Sequence, residues 1–247
     1  MILTIAHKEF RSLFSTPSTW IILGALQFIF AWFFLIGLDA FLQTQAQMSQ
    51  ILNAPGATQS IASPLFGVVA FIMMMLVPIF TMRLIAEERR NQTLVLLLAA
   101  PIASWEIILG KFIGLFLFLS LIIIACLLML LTLALGTPLD YGLLFSSSLG
   151  LFLLTASYIA LGLYFSTLTS QPIVAATSTL AAVFGLWLID VAGSNTRAAI
   201  KALSPTVHFQ SINTGLLSSQ DIAYFLLFSI TCLLLAIRRL DNSRIYG

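Results

Sequence analysis

The sequence predicts an all-α membrane protein with six transmembrane helices in a single transmembrane domain, residues 1–247. Of its 247 residues, 60% are hydrophobic and 8% are charged, whereas roughly 25% charged is typical of soluble domains. No charged residue falls inside six long apolar runs, and a hydrocarbon core of about 30 Å needs roughly 20 helical residues. These runs are Trp20 to Leu38, Leu65 to Met82, Phe112 to Leu135, Gly142 to Leu168, Pro172 to Ile189 and Ile222 to Ile237.

The distribution of basic residues predicts the orientation. An even number of spans places both termini on one side, and the positive-inside bias identifies that side. Nine of the eleven basic residues share the side of the termini: Lys8, Arg11, Arg83, Arg89, Arg90, Lys111, Arg238, Arg239 and Arg244. Both termini are therefore predicted to be cytoplasmic.

Residues 1–16 are predicted to form an amphipathic helix that lies in the membrane interface. At 100° per residue, one face carries Ile2, Leu3, Ala6, Phe10, Leu13 and Phe14, and the other carries Thr4, His7, Lys8 and Arg11. The basic side is expected to meet lipid head groups or a partner. The alternative is a frayed basic leader that only sets topology. Pro17 is predicted to break the helix before the first span.

The second span and the connection before it carry few candidates. Asp39 to Pro64 is predicted to be an outward loop rich in glutamine (Gln43, Gln45, Gln47, Gln50 and Gln59). Met73, Met74 and Met75 have soft thioether ligands, but three consecutive helical residues point in different directions, so packing is favoured over copper binding. Pro78 is expected to kink or loosen the end of the second span.

The remaining connections also predict local structure. The turn from Gly136 to Asp140 makes the third and fourth spans an antiparallel hairpin, and Gly110 with Gly114 forms one Gly-x-x-x-Gly match for close helix contact. Ser170-Gln171-Pro172 is predicted to open the fifth span. The outward segment 192–221, with Pro205, His208, Phe209 and Gly215, is predicted to re-enter the outer leaflet before a last span of about 16 residues.

The stretch 83–111 is the most specific part of the sequence. A charged cluster, Glu87 to Arg90, precedes an apolar run, Leu94 to Ala100, which is too short to cross a membrane and is closed by Pro101. A new helix is predicted to start at Ser104, which makes a helix-turn-helix elbow whose apolar run must be covered. The alternative is a solvated loop that only enforces topology, which leaves the leucine-rich run unexplained.

This elbow resembles that of ABC-2 type permeases, the membrane subunits of bacterial ABC exporters. Their pattern is an acidic-basic cluster, Gly-Thr, Leu-Glu-Leu-Leu-Leu, a proline and Ile-Val-Leu-Gly-Lys. The matching residues are Glu87, Glu88, Arg89, Thr93, Leu94, Leu96, Leu97, Leu98, Pro101, Leu109, Gly110 and Lys111. The chain departs from the pattern at Gln92, where glycine is usual, and at Val95, where an acid is usual. Its length, Thr81-Met82-Arg83 and the stretch from His208-Phe209 to Gly215 look most like the gliding-motility-associated (GldF-type) branch.

The resemblance implies a non-catalytic permease subunit of an ATP-driven exporter in the bacterial inner membrane. Its implied partners are two copies of a separate ATPase, which hold ATP and Mg²⁺, and a second permease copy or paralogue in the lipid bilayer. A periplasmic accessory protein is a further candidate partner, and no nucleic acid, metal or cofactor is expected on this chain. The residues implied to contact the ATPase are Glu87, Glu88, Arg89, Arg90, Thr93, Leu94, Leu97, Leu98 and Pro101.

Three other functions remain open from the residues. A subunit that transmits mechanical work to a periplasmic partner, without transport, fits the same sequence. A secondary transporter would usually carry an ionisable residue within its spans, and the apolar runs contain none. An intramembrane enzyme would need a motif such as His-Glu-x-x-His or Gly-x-Ser-x-Gly, and neither occurs. Gly110-Lys111 lacks the upstream glycine of a phosphate loop.

Overall fold

The computed structural model describes residues 1–48, 56–93, 102–191 and 202–246. Every regular element in these ranges is helical, as predicted. A π-helical turn, Arg83–Glu87, a short stretch, Glu88–Arg90, and a 3-10 turn, Thr132–Leu135, join the main helices. The main helices are α1 (Ile2–Ser15), α2 (Pro17–Met48), α3 (Ala57–Met82), α4 (Ser104–Leu131), α5 (Tyr141–Leu168), α6 (Pro172–Val191), α7 (Pro205–Asn213) and α8 (Ser219–Tyr246).

Six helical segments of the described chain are long and apolar enough to cross a membrane, which confirms the predicted number. They are Pro17–Thr44, Ala57–Arg90, Ser104–Leu135, Tyr141–Leu168, Pro172–Asp190 and Ser219–Ser243. The shortest has 19 residues, which at 1.5 Å per residue approaches the thickness of a hydrocarbon core.

Helices α3 and α5 form the centre of the bundle. They pack along each other, and α5 also contacts α4, α6, α7 and α8. The spans α2, α6 and α8 are mostly exposed and present large apolar side chains such as Phe28, Trp32 and Leu227. An apolar outer surface of this kind is what a helix needs when its neighbour is lipid rather than water.

Proline and aspartate fix several helix starts. Pro17, Pro172 and Pro205 each stand at the first position of a helix, where the missing N–H would have had no intrahelical partner. Asp140 caps α5, because its carboxylate accepts a hydrogen bond of 3.0 Å from the backbone N–H of Leu143. Helices α4 and α5, joined by this short connection, also pack against each other, as the predicted hairpin requires.

The predicted glutamine-rich loop is wrong in its extent. Helix α2 continues to Met48 and α3 already begins at Ala57, with Pro64 inside it. Gln43, Gln45 and Gln47 are therefore helical residues of α2, Gln59 belongs to α3, and Gln50 lies outside the described residues. The loop was predicted from hydropathy, which shows only where the apolar run ends. Glutamine, alanine and leucine are good helix formers, so the helix continues past the end of the apolar run.

The predicted short last span is also wrong. Helix α8 has 28 residues, because the count of about 16 stopped at the charged residues Asp221 and Arg238. Both lie within the helix, where an acid in the first turn favours the positive end of the helix dipole. The last span therefore needs no help from the preceding segment to cross.

Candidate functional site

The chain between α3 and α4 begins with a change of helical winding. Thr81 sits against Gly162 of α5, so closely that a Cβ at Gly162 would lie 2.7 Å from the Cβ of Thr81. The π-helical turn follows directly, and Ser166 Oγ accepts hydrogen bonds from the backbone N–H groups of Ile85 (3.2 Å) and Ala86 (3.0 Å). The hydroxyl of one serine of α5 thus accepts hydrogen bonds from two backbone N–H groups of this wider turn. Such π turns are rare and frequently mark functional positions.

The charged cluster is attached to the same point of α5. Arg89 donates a hydrogen bond of 3.2 Å to the carbonyl oxygen of Thr167, the residue after Ser166. Arg90 is exposed, so the two adjacent arginines differ: one holds the chain to α5 and the other is free to meet solvent or a partner.

Lys111 forms the most buried ionic contact of the described chain. Its side chain is 1% exposed, and its Nζ lies 2.9 Å from Glu9 Oε1 and 2.7 Å from Glu88 Oε1. Glu88 Oε2 is buried and accepts no hydrogen bond from a described residue. One cation therefore serves two carboxylates, which come from α1 and from the segment after α3.

Helix α1 reaches this contact through two glycines of α4. A Cβ at Gly110 would lie 2.8 Å from the Cβ of Ile5, and a Cβ at Gly114 would lie 2.9 Å from both the carbonyl oxygen of Ala6 and the Cβ of Glu9. Only glycine at these positions lets the two backbones approach so closely. The Gly-x-x-x-Gly match is therefore a real helix contact, and its partner is α1.

The rest of the apolar face of α1 continues this contact. Phe14 packs against Phe118 with ring centroids 5.5 Å apart, and its carbonyl oxygen accepts a hydrogen bond of 3.0 Å from Trp20 Nε1. Ile5 and Phe10 also pack against the core, while Leu3 is 78% exposed. The predicted helix is present, and most of its apolar face packs against the protein, whereas Leu3 is left uncovered by the described residues.

The chain turns at Gln92, immediately before the undescribed residues 94–101. Gln92 has φ of +58°, a left-handed conformation that glycine adopts freely and that strains a residue with a Cβ. Thr93 Oγ1 donates a hydrogen bond of 3.2 Å to the carbonyl oxygen of Glu88, which closes the turn. This is the position at which the sequence departs from the Gly-Thr pattern, so the structure gives the pattern's glycine a physical reason.

The opposite end of the bundle carries a second polar cluster around α7. His208 Nδ1 lies 2.6 Å from Asp221 Oδ1 and its Nε2 lies 2.9 Å from the carbonyl oxygen of Ala202. The imidazole stacks on Tyr224 at 4.1 Å, whose hydroxyl donates to the carbonyl oxygen of Leu203 (2.6 Å). These contacts attach α7 and the residues before it to α8.

A third set of contacts ties the end of α7 to the central helices. The Asn213 side chain donates to the carbonyl oxygen of Ser63 (2.9 Å), and Ser146 Oγ donates to that of Ile212 (2.6 Å). Gly150 of α5 allows this approach, because a Cβ there would lie 2.9 Å from Cγ2 of Ile212. Gly215, with φ of +91°, turns the chain from α7 towards α8.

One family model matches residues 3–240, nearly the whole chain, and its description is ABC-2 family transporter protein. The chain belongs to the ABC-2 transporter family. A search of the curated proteins finds no match. As an ABC-2 permease whose described residues include six helices able to cross a membrane, it is a multi-pass membrane protein and the membrane component of an ABC transporter. Members of this family are transport components that are generally not catalytic themselves.

The structure brings together part of the contact site predicted for this ABC-2 permease. Glu87, Glu88, Arg89, Arg90 and Thr93 occupy one short segment, which is tied to α4 by Lys111 and to α5 by Arg89. Leu94, Leu97, Leu98 and Pro101 lie outside the described residues, as do residues 192–201 of the predicted outward segment. Lys8 and Arg11 are exposed on α1, while Phe10 packs inward.

The four residues singled out after position 201 in this permease lie together in one region. Pro205 opens α7, Phe209 is 3% exposed, His208 bonds Asp221, and Gly215 makes the turn after α7.

Sequence reasoning missed several residues of these clusters, among them Glu9, Ser166 and Asp221. Glu9 interrupts the apolar face of α1, and an isolated charge on such a face is a signal for a buried partner. Ser166 and Asp221 gave weaker signals, since a serine within a span usually bonds to its own helix, and Asp221 stands at the edge of an apolar run.

Proposed function

We propose that this chain is the permease subunit of an ATP-driven exporter in a bacterial inner membrane, coupled to its ATPase through residues 83–111. The observation that supports this most is the contact of Lys111 with Glu9 and Glu88. It joins α1 to both flanks of the segment 94–101, the segment whose leucine-rich sequence resembles the ATPase-binding elbow. A force applied to that segment would act on α1 and α4 together.

The route from the elbow into the membrane runs through α5. The π-helical turn and Arg89 are bonded to Ser166 and Thr167 at the end of α5, and α5 contacts most other helices of the bundle. Two ATPase copies, which hold ATP and Mg²⁺, would close on hydrolysable nucleotide and displace two such elbows. Interfaces of packed helices respond to displacements of this kind by switching between discrete arrangements.

The proposed orientation and assembly follow from charge and surface. Both termini and the elbow are placed in the cytoplasm, with Lys8, Arg11 and Arg90 exposed towards anionic head groups or the ATPase. The exposed apolar sides of α2, α6 and α8 provide surface for lipid and for a second permease copy or paralogue. The sequence stretches around residues 81–83 and 208–215 favour the gliding-motility-associated branch.

The coupling proposal is tested by Leu97→Asp combined with Leu98→Asp. Two charges in an apolar contact would be desolvated without partners, so we expect the ATPase to be lost when the permease is purified from membranes. The ATPase is sought as a neighbouring gene product and detected by mass spectrometry. The matched control is Leu216→Asp with Leu217→Asp, two leucines that are 67% and 48% exposed at the opposite end of the bundle. Equal recovery of the ATPase with both variants at normal membrane levels would refute the elbow assignment.

A second function, mechanical work on a periplasmic partner without transport, is favoured by α7. This helix is bonded to α3, α5, α6 and α8, so displacement of α5 would move it, and Leu216 and Leu217 beside it are exposed. ATP hydrolysis by the reconstituted complex of permease and ATPase distinguishes the two functions. Stimulation of ATP hydrolysis by a periplasmic protein, with no response to lipid or amphiphile extracts, would favour mechanical transmission, whereas the reverse would favour export.

A further inference from the structure

A pocket of about 120 Å³ lies beneath α7, between α3, α5 and α6. Its walls include Phe71 and Met74 of α3, Tyr158 of α5, Trp187 of α6, and Phe209 and Asn213 of α7. The rings of Phe71 and Trp187 meet edge to face with centroids 6.2 Å apart. For comparison, an apolar cavity of about 150 Å³ takes up benzene, so the volume fits a small ring or the end of a chain.

Gly67 of α3 shows that this space is open. It lines the pocket, and a Cβ built on it would meet no atom within 4 Å. The glycines at the tight helix contacts behave in the opposite way, since a Cβ there would lie within 3 Å of a neighbour. A larger side chain at position 67 would therefore fill the pocket without pushing helices apart.

Two polar groups at the pocket have no hydrogen-bond partner among the described residues. Asn213 uses its side-chain N–H to bond Ser63, but its Oδ1 is buried and accepts no hydrogen bond within the described chain. Tyr158 is 1% exposed, and its hydroxyl bonds to no other described residue. Buried polar groups are nearly always paired, because leaving one unpaired costs its full desolvation. A ligand that donates to Asn213 and bonds Tyr158 would remove this cost.

The walls also exclude a charged ligand group. None of the described residues that line the pocket carries a formal charge, and its polar side chains, which include Thr206, Gln210 and Asn213, are neutral. An ion placed there would lose its hydration without meeting an opposite charge. A hydroxyl fits the two unpaired groups, since it donates one hydrogen bond and accepts another. The aromatic walls would then contact the apolar part of the same molecule.

We propose that the pocket beneath α7 binds the hydroxyl-bearing end of an uncharged amphiphile, with Asn213 and Tyr158 as its hydrogen-bonding residues. The hydroxyl donates to Asn213 Oδ1 and accepts from Tyr158, while Phe71, Met74 and Trp187 contact the chain or ring. The site is formed within one chain and does not depend on the ATPase contact.

The test uses the full-length protein in phosphatidylcholine nanodiscs and an octanol that carries a photoactivatable diazirine. Labelled residues are mapped by mass spectrometry, and labelling is expected near Phe71, Met74 and Trp187. Unlabelled octanol should compete, whereas octanoate and octane at equal membrane concentrations should compete at least tenfold less. Equal competition by octane would show an apolar crevice that selects nothing, and equal competition by octanoate would refute the preference for an uncharged group. Either result overturns the proposal.

Two variants and a control complete the test. Gly67→Leu should reduce pocket labelling at least tenfold, whereas Gly24→Leu, on an exposed position of α2 with equally open surroundings, should leave it unchanged. Tyr158→Phe should weaken octanol competition about fivefold, the effect of losing one hydrogen bond, and leave octane competition as it was. Full labelling in Gly67→Leu would contradict the site. Because no ATPase is present, a failed elbow test and a failed labelling test remain separate results.

Discussion

At the scale of single residues, the balance of charge around Lys111 determines how much stability is lost when the lysine or one of its two glutamates is replaced. Two carboxylates share one ammonium group, and the lysine is almost completely buried while Glu9 and Glu88 are 14% and 20% exposed. Removing one carboxylate leaves a neutral pair. Removing the lysine leaves two negative groups facing each other in a site from which water is largely excluded, and that arrangement is strongly unfavourable.

We therefore predict that Lys111→Met destabilises the protein by about 3 kcal/mol, near the lower end of the range for breaking a buried pair because both glutamates keep some solvent. Glu9→Gln should cost about 1 kcal/mol, since Lys111 retains Glu88. The free energy of unfolding is measured by denaturant titration in detergent micelles.

The control for this prediction is the triple variant Lys111→Met, Glu9→Gln and Glu88→Gln. It carries no net charge at the site, so most of the stability lost in Lys111→Met should return. A triple variant as unstable as the single one would show that the lysine stabilises by packing rather than by its charge.

At the scale of elements, the glycines divide into those that hold helices together and those that face open space. Gly114 belongs to the first group and Gly24 to the second. Alanine raises helix propensity by about 1 kcal/mol relative to glycine, so the same substitution should have opposite signs at the two positions. At Gly114 the added methyl group would meet the backbone of α1 and force it away from α4.

The predicted outcome is that Gly24→Ala is neutral or stabilising, whereas Gly114→Ala destabilises by about 1–3 kcal/mol, as overpacking does. Release of α1 should also speed limited trypsin cleavage after the exposed residues Lys8 and Arg11. Cleavage rates are followed by gel electrophoresis. Unchanged rates in Gly114→Ala would mean that α1 is held by contacts other than this glycine.

Helix existence was predictable from the sequence because lipid imposes long apolar runs and proline marks several helix starts. The position at which α2 ends could not be predicted in the same way, since the helix continues through Gln43 and Gln47 after the apolar run has ended. The candidate site was predictable where charge and motif coincide, as at Glu88 and Arg89. Its links to Glu9 and Ser166 were not predictable, because they join residues 80 to 102 positions apart and no local pattern records such a distance.

At the scale of the whole molecule, the two polar clusters define opposite ends of the bundle. The segment 83–90 and α1 lie at one end. Helix α7, with its bonds to Ser63, Ser146 and Asp221, lies at the other. The orientation proposed above predicts that these ends face different compartments.

Labelling of single cysteines tests this orientation. Arg90→Cys and Leu216→Cys both place a thiol on exposed positions, whereas the native Cys126 and Cys232 are buried. In intact cells with a permeabilised outer membrane, a membrane-impermeant maleimide should label Leu216→Cys and not Arg90→Cys. Inside-out vesicles should give the reverse, with the wild-type chain as background. Labelling of both cysteines from one side would reject the orientation.

The contact of α1 with α4 also constrains the order of synthesis. Glu9 precedes its partner Lys111 by 102 residues, and a ribosome adds about 5–20 residues per second. The first helix therefore emerges roughly 5–20 s before its binding groove exists, with its apolar side uncovered. During that interval another apolar surface must cover this side of α1. The nearest one is the surface of the membrane into which the first spans are being inserted.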